Sequence, residues 1–448
     1  MDPVDTEQGA QSSSEQSPLL GAQTSSNDGH DEPPPTPPEG KKTALIWTVL
    51  TGLFAVGLIL VFTLPVTDWA DPFPTPESIL DSAPVIDGHI DLPELVRVYY
   101  ANNVSAFNLN ERMPGHVDIP RLRKGKVGGF FWSVYVSCPK DAGPDFVDPT
   151  WRVRDTLEQI DVSRLLIEQY SDTFELTLTS QEVKDAIWNG KIASLLGVEG
   201  AHQIGNSIAV LRQFYTLGVR YMTLTHMCHN AFADSGGYLE PLPPLHGGLS
   251  KFGYRLIDEM NRLGILVDLS HTSDQTAEQS LKYSKAPVIW SHSSARAVHN
   301  VSRNVPDYIL ESIKTGSNDA VVMVNFAPFY VAPDGKATLE SVVDHVEHIG
   351  NVAGRQHVGI GSDYDGIGSV PEGLEDVSKY PALVTELFKR GWSAEELRGL
   401  TGGNLLRVLD VAERVARELQ KAGTPPVLDI YDKRTDLPVE RLNVDSPT

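Results

Sequence analysis

From residue 75 onward the chain alternates short, β-branched, apolar runs with longer segments whose apolar residues recur at helical spacing. Eight runs stand out: PVID from Pro84, VGGFFWSVYV from Val127, IASLLGV from Ile192, VRYMTLT from Val219, ILVDLS from Ile265, PVIW from Pro287, VVMVNF from Val321 and VGIGSD from Val358. Between them lie helical candidates, among them Trp151 to Tyr170, Leu249 to Leu263, Leu339 to Val352 and Ser393 to Lys421. This rhythm predicts a parallel sheet with helical crossovers. Eight strands of this kind predict a closed, TIM-like (β/α)8 barrel of the α/β class, whose chemistry gathers at the carboxyl ends of the strands.

The pattern before residue 75 is different. Residues 1–42 are rich in Ser, Gln, Pro and acidic residues and cannot bury enough apolar surface to fold, which predicts a disordered tail. Thr43 to Pro65 carries no charge over 23 residues, long enough to cross a bilayer as one transmembrane helix. Lys41 and Lys42 precede it and Asp68 and Asp71 follow it, so the positive-inside rule predicts a type II protein with a cytosolic tail and a lumenal or extracellular domain. The domain plan is thus a tail over 1–42, a span over 43–65, a linker over 66–74, a barrel over 75–422 and an extension over 423–448. Glu15-Gln16-Ser17-Pro18-Leu19-Leu20 has the form of an acidic dileucine signal for a sorting adaptor, which directs a protein to endosomes or a vacuole rather than leaving it at the plasma membrane. Chance accounts for so short a motif nearly as readily.

Charge narrows the partners. The formal net charge of −22 argues against a nucleic-acid partner, which demands a basic surface. Only Cys138 and Cys228 occur, and outside the cytosol a pair of cysteines forms either one disulfide or two buried thiols. Asn103-Val104-Ser105 and Asn300-Val301-Ser302 are glycosylation sequons in a compartment that could use them.

The candidate chemistry sorts along the same strands. His89 and Asp91 sit two residues apart after the first apolar run, a spacing that lets an imidazole and a carboxylate converge on one ion. Glu199 ends the third run, His226 follows the fourth, His271 the fifth, His292 the sixth and Asp363 the eighth. Three histidines and two carboxylates exceed the three protein ligands of one catalytic zinc. They suit two ions, one held by His89, Asp91 and Glu199 and the other by Glu199, His271 and His292, with Glu199 bridging; zinc, manganese and cobalt all accept such ligands. Asp363 is then the acid/base candidate, with Asp365 competing, and His226 is a candidate oxyanion donor or a structural hydrogen bonder. His202 and His229 are candidates for support of the ligands. The other histidines, His30, His116, His246, His299, His345, His348 and His357, read as structural or solvent-exposed.

At these residues the sequence resembles the renal, or membrane, dipeptidase family of dinuclear zinc peptidases. VIDGHIDL, VGGFFWSVYVSC, LLGVEGAH, LTHMCHNAFADS, VDLSHTS, SHSSARAVHNVSRNVPD, MVNF and VGIGSDYDGI with PEGLEDVSKYPALVTEL look like family motifs in family order. The resemblance implies metal ligation by His89, Asp91, Glu199, His271 and His292, an acid/base role for Asp363 and oxyanion binding by His226. It further implies that Arg303 holds the carboxylate of a dipeptide, that Tyr330 lines the pocket, that Cys138 and Cys228 are bonded, and that the protein forms a homodimer. Anchorage departs from the lipid-anchored mammalian members, because the C-terminal RTDLPVERLNVDSPT is too polar for a glycolipid signal. Arg296 and His299 lie between His292 and Arg303, where they could alter side-chain preference, and a glycan on Asn300 would crowd Arg303. The expected activity is hydrolysis of dipeptides with broad side-chain tolerance. The alternatives are a related dizinc hydrolase of lactams or peptide conjugates, or an inactive adhesion or sorting receptor.

Overall fold

The computed structural model describes residues 46–54, 73–139, 150–316 and 318–434. Residues 46–54, within the expected membrane span, are helical, and among the described residues no helix is long and apolar enough to cross a membrane. The rest of that span, the tail with Glu15 to Leu20, and residues 435–448 lie outside the described residues.

Among the described residues from 73 onward there are nine strands: β1 (Val85–Ile90), β2 (Val127–Tyr135), β3 (Phe174–Leu176), β4 (Ile192–Glu199), β5 (Val219–Thr223), β6 (Leu266–Asp268), β7 (Val288–Trp290), β8 (Ala320–Val324) and β9 (Val358–Ile360). Eight pair in the order β1-β2-β4-β5-β6-β7-β8-β9, every pairing is parallel, and β3 adds beside β4 off that path. The ring is nearly closed at the β1–β9 seam, where Asp363 N donates to His89 O at 3.0 Å and Asp91 N to Tyr364 O at 2.8 Å. All eight expected strands form. The ninth, Phe-Glu-Leu, is too short and too polar at its centre to show a period.

The strands are apolar throughout because both faces are covered. Alternate residues Ile86, Phe131, Leu195, Tyr221, Ile289 and Met323 cluster with Val408, Leu409 and Ala412 of the helix Asn404–Lys421. Their neighbours Phe130, Trp132, Leu196, Val288 and Val322 pack with Leu166, Leu211 and Leu256 of the flanking helices. Helices form at Thr150–Gln169, Lys251–Leu263 and Leu339–Val352, within two residues of expectation. The long helix read over Ser393 to Lys421 is instead two helices, Ala394–Arg398 and Asn404–Lys421, joined by a wider turn at Gly399–Gly403. The glycines of GLTGG weaken a regular helix, and Gly402 lies so close to Ile86 of β1 that any side chain there would collide with it. Beyond Gly423, the described part of the C-terminal extension docks through buried Val427 and Tyr431, with Arg212 donating to Val427 O at 2.8 Å.

Candidate active site and metal centre

Parallel strands end on one face, so residues scattered along the sequence meet there. His89 is in β1, Asp91 one residue past it, Glu199 is the last residue of β4, and His226, His271, His292 and Asp363 each lie two or three residues beyond β5, β6, β7 and β9. They gather under a cleft of about 450 Å³ whose wall includes Asp91, Tyr135, Glu199, His226, His271, Tyr330 and Asp363. His271 and Asp363 adopt left-handed backbone, φ +63° and +69°, a conformation that non-glycine residues hold only where surrounding contacts fix it.

Glu199 is the centre of the cluster. Its Oε2 faces His89 Nε2 at 3.8 Å, while its Oε1 faces His271 Nε2 at 3.0 Å, His292 Nε2 at 3.3 Å and His226 Nε2 at 3.8 Å. On the first side, His89 Nε2 also lies 3.1 Å from Asp91 Oδ2 and 4.0 Å from Asp363 Oδ1. On the other, the His271 and His292 Nε2 atoms point at each other, 2.9 Å apart. His226 is therefore the third ring around Oε1 rather than a remote one, with its edge against Tyr135.

Outer contacts fix which ring nitrogen faces the site. Ser291 Oγ donates to Asp268 Oδ2 at 2.6 Å, so it accepts from His292 Nδ1 at 2.8 Å and leaves His292 Nε2 bare toward Glu199. Tyr221 OH lies 2.8 Å from His89 Nδ1 and fixes the orientation of that ring. Tyr221 reaches it by lying flat on Gly197 of β4, where a Cβ would meet the phenol ring. Asn325, just past β8, donates to Asp363 Oδ2 at 2.9 Å and turns the other carboxylate oxygen toward His89.

The electrostatics follow from this crowding. Burial works against a charged His89, yet Asp91, Glu199 and Asp363 together push its pKa up to about 10. Burial drives His226, His271 and His292 well below the usual imidazole value, reinforced by Arg303 and the other rings. Burial likewise raises Glu199 well above the carboxylate range and Asp363 to about 7, with His89 opposing and Asp91 adding in each case. His226, His271 and His292 held neutral by burial, beside the oxygens of Asp91, Glu199 and Asp363 and with Asp91 Oδ1 buried and unpartnered, are a donor set that divalent cations fit, and a cation there would displace the proton of His89. Within 4.8 Å the donors fall into overlapping triads, His89–Asp91–Asp363, His89–Glu199–His292 and Glu199–His226–His271, and Glu199 is common to the last two.

A family model for the membrane dipeptidases, peptidase family M19, matches residues 75–423. The chain belongs to this family. It is 44% identical over 361 residues to Dipeptidase verJ of Clonostachys rogersoniana, covering 80% of this chain and 92% of that protein. It is 46% identical over 359 residues to Dipeptidase aclJ of Aspergillus oryzae, covering 79% and 83%. Among solved structures, a metallo peptidase from Rhodobacter sphaeroides liganded with a phosphinate mimic of the dipeptide L-Ala-D-Ala superposes with a TM-score of 0.66 at 28% identity, covering 74% of this chain and 99% of that one. The protein is thus a metal-dependent hydrolase of the M19 family.

The remaining sequence candidates separate cleanly in this M19 chain. Arg303 does not line the cleft wall. Its guanidinium donates to Ser293 Oγ at 2.6 Å and His292 O at 2.7 Å, leaves Nε unpartnered, and lies 5.5 Å from the ring of Tyr330, which does line it. Asp365 faces away, bonded to the backbone N–H of His116. Arg296 is taken up by Asp274 at 2.6 and 2.7 Å and leaves no guanidinium for the site. His202 bonds Val136 O, and His229 bonds Ser235 N and Pro243 O, so neither holds a ligand. Cys138 and Cys228 form the disulfide, with Cys138 Sγ 3.9 Å from His226 Nδ1. Asn103 and Asn300 are exposed.

Sequence reasoning missed Tyr221, Asp268, Ser291, Asn325 and Glu94. The first four act through a histidine or Asp363, and nothing but their places next to or opposite ligand-bearing strand ends could have marked them. Glu94 lies three residues past Asp91 and lines the cleft; burial, with Asp91 and Asp363 adding, pushes its carboxyl up to about 8.

Proposed function

We propose that this protein is a membrane-anchored dizinc dipeptidase in which His89, Asp91 and Glu199 hold one ion and Glu199, His271 and His292 the other. The observation that carries this reading is the split of Glu199, with Oε2 toward His89 and Oε1 toward His271 and His292. Two zinc ions held there supply positive charge beside the scissile carbonyl and make water acidic enough to attack at neutral pH. Asp363, raised to about 7 chiefly by burial and oriented by Asn325, accepts in its ionised form the proton of the attacking water and returns it to the departing amine. His226 Nε2 faces into the same space and donates to the oxyanion as the carbonyl becomes tetrahedral.

Arg303 binds the substrate carboxylate by a charge-assisted pair, which requires that carboxylate to pass the ring of Tyr330. With one end of the substrate read by its charge, side chains are sensed weakly and tolerance is broad. The relatives named as dipeptidases and the phosphinate-liganded neighbour support dipeptides as substrates.

The same reading keeps the sequence-derived plan: a cytosolic tail over 1–42, a single span over 43–65, a linker over 66–74, the catalytic barrel over 75–422 and an extension over 423–448, in a type II arrangement with Asn103 glycosylated and Asn300 not. Replacing Leu19 and Leu20 with Ala moves the protein from endosomes or vacuole to the cell surface if Glu15 to Leu20 binds a sorting adaptor; unchanged localisation returns the motif to chance.

The deciding experiment measures the metal content of purified protein and its hydrolysis of a panel of dipeptides and tripeptides, before and after chelation and zinc return. About two zinc ions per chain and chelator-sensitive cleavage confined to dipeptides is the expected result. Two ions without dipeptide cleavage would point to lactams or peptide conjugates instead.

A further inference from the structure

We propose that Glu94 recognises the free α-ammonium group of the substrate's amino-terminal residue, so that the cleft reads both charged ends of a dipeptide. The proposal rests on the dipeptidase reading and deepens it. Glu94 stands in the first turn of the helix Leu92–Tyr100, three residues after Asp91 and therefore on the same helix face. Its carboxylate lines the cleft and makes no hydrogen bond or ion pair among the described residues. Asp91, Asp363 and His89 act on its charge and it acts on Tyr135, so it stands by the ends of β1, β2 and β9.

Asp91 Oδ1 is buried and unpartnered, as are the Tyr330 hydroxyl and Arg303 Nε. The cavity wall thus carries acidic groups at Asp91 and Glu94 and the unpartnered Tyr330 hydroxyl elsewhere, with Arg303 behind the Tyr330 ring. A half-buried carboxylate without a partner is costly, and a cationic ligand group removes that cost. When a dipeptide carboxylate lies at Arg303, its amino-terminal residue lies toward Glu94, and the ammonium is the cation that every unblocked dipeptide brings there. A blocked or internal residue presents a neutral amide at that point.

The test uses zinc-loaded, full-length protein, wild type and Glu94→Gln, with a phosphinate dipeptide mimic and its desamino analogue as probes. Wild type is expected to bind the amino phosphinate about tenfold or more tightly than the desamino one, the worth of one charge-assisted hydrogen bond. Glu94→Gln should erase most of that ratio and raise KM for dipeptides more than it lowers kcat, at unchanged zinc content, with Glu94→Asp recovering part of it. A wild-type ratio near one, or a substitution that weakens both phosphinates equally, overturns the proposal. A wild-type protein that binds neither phosphinate and cleaves no dipeptide overturns the dipeptidase reading itself.

Discussion

One carboxylate, Glu199, faces imidazole nitrogens with each of its oxygens, Oε2 toward His89 and Oε1 toward His271 and His292, and the proposed centre depends on it. Glu199→Ala is expected to lower kcat/KM by on the order of a thousandfold or more, with zinc falling well below two per chain. Retention of both ions at wild-type affinity in that variant would sink the bridging assignment. In the proposed reading Arg303 holds the substrate's carboxylate. Arg303→Ala should raise KM for dipeptides by about 10- to 100-fold, with a smaller effect on kcat, because a charge-assisted contact made equally in ground and transition states is uniform binding. A KM unchanged from wild type would remove Arg303 from substrate recognition. Gly366 shows how little room the centre leaves: a Cβ there would run into the carboxylates of Asp91 and Asp363.

At the scale of elements, the barrel's helices fasten the site loops from outside. The helix Leu339–Val352 begins with a Thr338–Ser341 capping box and buries His345. That ring accepts from Ala295 N at 2.9 Å through Nδ1 and donates to Val331 O at 2.9 Å through Nε2, tying the loop after β7 to the short helix that carries Tyr330. Two opposite hydrogen bonds require the neutral ring, and burial accordingly lowers its pKa to about 4. The unfolded chain binds a proton at its ordinary value near 6.5 and the folded chain does not, so stability is level above that pH and falls as pH drops toward 4. The full loss for this group is about 3 kcal/mol. His202, lowered to about 4 mainly by burial, adds a loss of the same sign. His345→Asn should therefore be less stable than wild type at pH 7.5 but lose less Tm between pH 7 and 4.5. Parallel Tm curves for the two proteins would show that His345 does not carry the acid sensitivity. The wide turn at Gly399–Gly403 belongs to this scale as well: periodicity over Ser393 to Lys421 reads as one helix, and only the approach to Ile86 shows why it breaks.

For the whole molecule, the disulfide between Cys138 and Cys228 closes a separation of 90 residues and pins the β2 loop against the loop bearing His226. By chain entropy such a link is worth about 4–5 kcal/mol, so the Cys138→Ala, Cys228→Ala double variant should melt about 6 °C lower. An unchanged Tm would mean that the link adds nothing to stability. How much of this was legible beforehand depended on the kind of signal. Eight buried strands are continuous apolar runs, so local composition revealed them, and each acid or histidine at a run's end was visible as a ligand candidate. Pairing was not visible in the same way: which oxygen of Glu199 meets which ring, that Arg303 lies behind Tyr330, that Asp365 turns to His116 while Asp363 faces the cleft, and that Glu94 shares its wall. The sequence by itself determined the strands of the barrel and which acids and histidines stand at their ends, because periodicity and residue type are properties of short stretches. Only the tertiary structure decided the partners, because residues as distant as His89 and Asp363 become neighbours where the first and last strands meet at the seam.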